Sequence, residues 1–122
     1  MIEVSDEEFQ ELINQALVEL PGAHAQNIKN VAILYENEPT PEQRQKLALR
    51  HDQTLLGLYE GVPLTERQGQ TRLLPDKITL FKLPLQFHAS SLAELKEQIK
   101  HTLWHEIAHY YGLDHGRIRE LE

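Results

Sequence analysis

The chain has 122 residues, no cysteine and a formal net charge of −7, with 25% charged and 40% hydrophobic residues. That length builds one domain, residues 1–122, around one modest core and is too short for two. The lack of thiols excludes disulfide stapling and thiolate metal sites, and the acidic balance makes nucleic acid an unexpected partner.

The charge is uneven. Glu3, Asp6, Glu7, Glu8, Glu11 and Glu19 stand in the first 22 residues with no Lys or Arg to oppose them, and an acidic face of this kind is ordinarily just solvated. The opening residues lack the basic-then-apolar pattern of a secretion signal, and no apolar run approaches the roughly eighteen residues of a membrane span. The expectation is a cytoplasmic protein without membrane association.

Taken in order, the chain first predicts a core-packing helix. Ser5 stands as N-cap, Glu8 as its capping-box partner and Val4 as a staple against Phe9. Phe9, Leu12, Ile13, Ala16, Leu17 and Leu20 follow at helical spacing until Pro21-Gly22 stops the run. After His24, which has no evident partner, Val31 to Tyr35 form a short continuous apolar run, the pattern of a strand buried on both faces. Thr40, Pro41 and Gln43 then open a short peripheral helix reaching about Arg50. His51-Asp52 beyond it are adjacent residues that do not face each other, and read as surface.

Residues 54–76 are punctuated by Gly57, Gly61, Pro63, Gly69 and Pro75 and show little periodicity. A long irregular connection in a small domain is often functional, and this one carries candidates for substrate contact. The Tyr59 hydroxyl can donate to an oxyanion, and Arg67 or Arg72 can grip a carboxylate with two prongs. Each is equally readable as a packed aromatic or a solvated cation. Ile78 to Leu83 predict a second strand, limited by Pro84. As a sheet edge it would offer a ladder to an extended peptide.

Ser91 with Glu94 opens the last helix as a capping box. Leu92, Leu95, Ile99, Leu103, Ile107 and Tyr110 share one stripe, and His101, His105 and His109 lie roughly opposite. His105 and His109, four apart, present two imidazoles to one metal, while Glu106 points about 100° away, suited to reaching a water on that metal. Gly112 ends the helix where glycine adopts the left-handed conformation without strain, so the chain can turn back and deliver His115 as third ligand. Three protein ligands and one open position make a catalytic rather than a structural layout for one Zn²⁺ ion. From this composition HExxH arises by chance in roughly 5% of such chains, and with Gly112 and His115 in on the order of 0.01%. His101 is expected to lie outside the metal's ligand set, and Trp104 and Tyr111 to serve packing.

The segment Leu56-Gly57-Leu58-Tyr59-Glu60-Gly61-Val62-Pro63-Leu64-Thr65-Glu66-Arg67, the strand Lys77 to Phe81 and the helix ending Gly112-Leu113-Asp114-His115 together resemble the small bacterial zincin-like metallopeptidases, also called minimal metalloproteases. The resemblance covers most of the chain. It implies an α+β zincin-like domain, a small mixed sheet packed on helices with a C-terminal metal-binding helix. It also implies zinc on His105 and His109, with Glu106 as general base. Members of the family often carry Asp where this chain has His115, so Asp114 stands as alternative third ligand. Larger proteases with HExxHxxGxxH have a methionine turn after the third histidine. Here the only methionine is Met1 and seven residues follow His115, so a shallow, open cleft is expected, one that buries little substrate area and excludes little water.

The expected function is zinc-dependent hydrolysis of a peptide bond in a peptide or unfolded protein, with narrow or weak activity. Two alternatives belong to other classes. Gly112-Leu113-Asp114-His115 is also similar to the ending of a bacterial endoribonuclease family active in ribosomal RNA maturation, but that family has no Glu after its first histidine. A noncatalytic zinc-binding module is the other.

Overall fold

The computed structural model of the chain describes residues 1–20, 31–49, 54–61 and 76–110. Helix α1 (Asp6–Glu19) begins at Ser5, whose hydroxyl accepts from the Glu8 N–H at 3.1 Å while the Glu8 carboxylate accepts from the Ser5 N–H at 3.0 Å. Two otherwise orphaned donors are thus satisfied reciprocally. Phe9, Ile13, Ala16 and Leu20 are buried, as their spacing predicts, and Val4 is buried beside them.

Strand β1 (Val31–Glu36) is followed by helix α2 (Pro41–Lys46), strand β2 (Gly57–Glu60) and strand β3 (Asp76–Phe81). In the sheet β3 is central, with β1 parallel on one side and β2 antiparallel on the other. Three expectations change here. The strand at 78–83 begins and ends two residues earlier and is the middle of the sheet rather than an edge. The irregular stretch contains an edge strand, β2. And β1 is buried on one face only: Val31, Ile33 and Tyr35 rest against the core, whereas Leu34 and Glu36 are exposed. An apolar run does not show which strand of a sheet is central, because that depends on pairing between distant segments.

The parity of the ladder decides what faces the helices. Asp76, Ile78 and Leu80 share one face of β3, and the register places Gly57 opposite Leu80 and Tyr59 opposite Ile78 on that same face. Thr79 and Phe81 point the other way and are buried too.

After β3 the chain turns directly into helix α3 (Lys82–Phe87), where Pro84 sits in the first turn and costs no helical hydrogen bond. The Gln86 side chain accepts from the Val4 N–H at 2.8 Å and Lys82 meets Asp6 at 2.7 Å, so α3 holds the start of α1 in place. Helix α4 (Leu92–Tyr110) is capped by Ser91, which accepts from the Glu94 N–H. Leu95, Ile99, Leu103 and Ile107 are fully buried against α1 and the sheet, while Leu92, expected in the same stripe, is exposed on the first turn. This is an α+β fold: a three-stranded mixed sheet with α1 and α4 packed on its Ile78/Leu80 face. Among the described residues no helix is long and apolar enough to cross a membrane.

Helix α2 has the predicted start, with Thr40 and Gln43 exchanging capping hydrogen bonds, but stops at Lys46 instead of reaching Arg50. Ala48 takes a left-handed conformation at φ 54°, which lets the Leu49 N–H reach the Arg44 carbonyl and the Ala48 N–H reach that of Gln45. That is a Schellman ending built without the usual glycine. Gln43 also donates to Glu60 at 3.1 Å, tying α2 to the edge strand.

Candidate active site

Helix α4 is held from behind by its leucines and isoleucines, which leaves His105 and His109 half-buried on the accessible side. Their rings lie 4.9 Å apart, centroid to centroid, at 69°. One helical turn has therefore brought two imidazoles together, as the four-residue spacing requires.

Glu106 lies deeper, only 7% exposed. Its carboxylate oxygen Oε1 accepts from the backbone N–H of Tyr59 at 2.9 Å and lies 3.2 Å from Nδ1 of His109. A buried carboxylate needs such partners, since charge removed from water is costly unless hydrogen-bonded. The hydrogen bond to Glu106 holds the His109 imidazole above its ordinary pKa, outweighing burial, which pushes the other way. With Nδ1 turned to the carboxylate, the ring orientation of His109 is set.

The strand that supplies the Tyr59 N–H comes unusually close to the helix. A Cβ placed on Gly57 would stand 2.6 Å from Cγ2 of Thr102 and 3.5 Å from Cγ of Glu106. Only glycine lets β2 lie this near α4. Two residues on, the Tyr59 hydroxyl donates to Oδ2 of Asp76 at 2.7 Å. Asp76 is 1% exposed, and a Cβ on Gly61 would run into its carboxylate. Gly57 and Tyr59 thus share one face of the edge strand and seat it against helix and central strand, and Gly61 just beyond its end packs on Asp76.

The sequence-predicted residues divide accordingly. His105, Glu106, His109 and Tyr59 are brought together, Tyr59 through its backbone and with its hydroxyl proton given to Asp76. His101 is exposed one turn before the pair, and Trp104 is buried. His24, His51, Asp52, Arg67, Arg72, Tyr111, Gly112, Asp114 and His115 lie outside the described residues, as does Pro21-Gly22. Asp76 and the packing role of Gly57 were not expected. Gly57 carried the signal, because a glycine inside a strand marks close backbone approach.

Among the described residues no three His, Asp or Glu side chains converge as a metal-binding group. His105 and His109 supply two imidazoles, and the expected third ligand, His115 or Asp114, is beyond the described span. The nitrogen donors and the neighbouring buried carboxylate fit zinc, which favours imidazole and carboxylate ligands in catalytic sites.

No curated protein matches the chain. The family of zincin-like metallopeptidases matches residues 28–122, which include every element from β1 onward together with the HExxH helix. A histidine pair one turn apart, a buried glutamate between them in sequence and an edge strand laid along their helix agree with that match, and the chain belongs to the zincin-like metallopeptidases.

Proposed function

We propose that the chain is a zinc-dependent peptidase in which His105 and His109 hold the ion with His115 as third ligand, Asp114 being the alternative, and Glu106 is the general base. The observation that carries this reading is the placement of the Glu106 carboxylate, buried beside the histidine pair and fixed by the Tyr59 N–H.

Zinc at such a site supplies Lewis acidity, polarising a carbonyl and making water acidic enough to be deprotonated near neutral pH. Glu106 takes a proton from the water as its oxygen bonds to the scissile carbonyl carbon. It then returns that proton to the amide nitrogen as the C–N bond breaks, leaving a carboxylate and an amine. Being held on Oε1 by Tyr59 N–H and His109 Nδ1, the carboxylate is pre-positioned, and this removes part of the entropic cost of the proton transfer. Tyr59 acts here by anchoring Glu106 and not by meeting the oxyanion, since its hydroxyl proton serves Asp76. His109 is oriented by the same carboxylate.

The test is direct. Purified protein with stoichiometric zinc cleaves an unfolded protein such as reduced casein, and Glu106→Gln abolishes cleavage while zinc content stays unchanged. Undiminished cleavage by that variant refutes the assignment.

A further inference from the structure

Along α4, residues 94, 98, 101 and 105 follow one another at steps of four, three and four, so the face that carries the histidine pair continues toward the start of the helix. There it borders a cavity of about 300 Å³ lined by Leu56, Glu94, Glu97, Gln98, His101 and Thr102. Its lining residue His101 stands one helical turn before His105, and so places the cavity beside the histidine pair. Thr102 is in van der Waals reach of Gly57, and Gly57 in turn of Glu106. The wall is firm, because the Leu56 carbonyl accepts from the Phe81 N–H of the central strand at 3.0 Å.

The cavity has an apolar side, Leu56 and the Thr102 methyl, and an acidic one, Glu94 and Glu97, with neither Lys nor Arg among its described lining residues. Lys100 lies 3.5 Å from Glu97, but it is also drawn to Glu19 on α1 at 3.9 Å, and Glu97 stays largely exposed. Gln98 spends its amide N–H on the His88 carbonyl at 2.7 Å, and its buried Oε1 accepts no hydrogen bond among the described residues. A lining with an apolar stem site, two carboxylates and an unmet acceptor suits a long side chain with a cationic, donor-rich end.

We propose that this cavity is a specificity pocket that takes the Lys or Arg side chain of a peptide substrate close to the scissile bond, with Leu56 and Thr102 against its methylenes and Glu94 and Glu97 facing its charge. The proposal rests on the peptidase reading for the word substrate, but the pocket's preference for a cation does not.

Two measurements separate the failures. In the first, zinc-loaded protein digests a peptide library and the cut sites are read by mass spectrometry. Lys and Arg are enriched at one fixed position beside the cut, and Glu94→Gln/Glu97→Gln lowers that enrichment about fivefold, the scale of one or two partly exposed ion pairs, without slowing cleavage of peptides that lack a cation there. In the second, full-length Glu106→Gln protein is titrated with an alanine-rich peptide carrying one arginine and with the same peptide carrying citrulline, following the Thr102 methyl by NMR. The arginine peptide saturates the shift at a concentration about fivefold lower. Cleavage with no basic preference, or a preference the double variant leaves intact, overturns the pocket. If no library peptide is cut but arginine still outbinds citrulline, the peptidase reading falls and the cation pocket stands. Equal binding of the two peptides overturns the pocket whatever the activity.

Discussion

Replacing Gly57 with alanine probes the contact that seats the edge strand on α4. The new Cβ would stand 2.6 Å from Cγ2 of Thr102, and ordinary contact begins near 3.4 Å, so strand and helix must separate by most of an ångström. The Tyr59 N–H to Glu106 bond is 2.9 Å long and spans the same gap two residues away. An opening of that size carries it past useful hydrogen-bonding range. Overpacking of this kind costs about 1–3 kcal/mol, and a buried carboxylate that loses a donor adds a cost of about 1–3 kcal/mol where the strand does not recover. Urea denaturation of Gly57→Ala should therefore show a midpoint lower by an amount equivalent to about 2 kcal/mol, with cleavage reduced at least tenfold because the base is displaced. Thr102→Ser removes the offending methyl. Alone it costs about 0.8 kcal/mol for one buried carbon, but combined with Gly57→Ala it recovers at least half of the loss, a coupling measurable by a double-mutant cycle. Additive losses in the double variant, or a Gly57→Ala protein as stable as the parent, would refute the close-approach argument.

Tyr59→Phe separates anchoring from oxyanion binding. It removes the donor to Asp76 and lowers stability by about 1–3 kcal/mol, yet leaves the backbone N–H on Glu106, so kcat should stay within about threefold of the parent; a hundredfold fall, the scale of a lost oxyanion donor, would restore the hydroxyl to catalysis. Ala48→Gly relieves a left-handed residue at the end of α2 and should raise stability by about 1 kcal/mol in thermal or urea melts. Ser5→Ala deletes the α1 cap and should cost about 1 kcal/mol by the same measurement. The Ser5 backbone N–H, with the Ser5 hydroxyl second, holds the Glu8 carboxyl below the usual carboxylate range. A depressed pKa contributes stability present above the unfolded value and lost as pH falls through the folded one, so Glu8→Gln should flatten the acid limb of the stability profile below about pH 4.3.

Local chemistry by itself determined a good part of this protein. The capping signals at Ser5, Thr40 and Ser91 acted within four residues, and α1, α2 and α4 start where they stand. The i, i+4 spacing brings His105 and His109 together and the apolar stripe from Leu95 to Ile107 fixes which side of α4 meets the core, because helical geometry is set before any tertiary contact forms. The α2 terminus was illegible for an equally local reason: Ala48 adopts a conformation that composition assigns to glycine. Strand order was decided only in the tertiary structure. Ladder partners lie tens of residues apart, and nothing in Val31 to Tyr35 or Asp76 to Phe81 says which run will be flanked on both sides. The same holds for the surroundings of Glu106. Its place in HExxH singles it out as the proposed base, but its burial, the Tyr59 N–H that grips it and the Tyr59–Asp76 bond that seats the edge strand arise from three elements meeting, a relation that one-dimensional spacing does not encode.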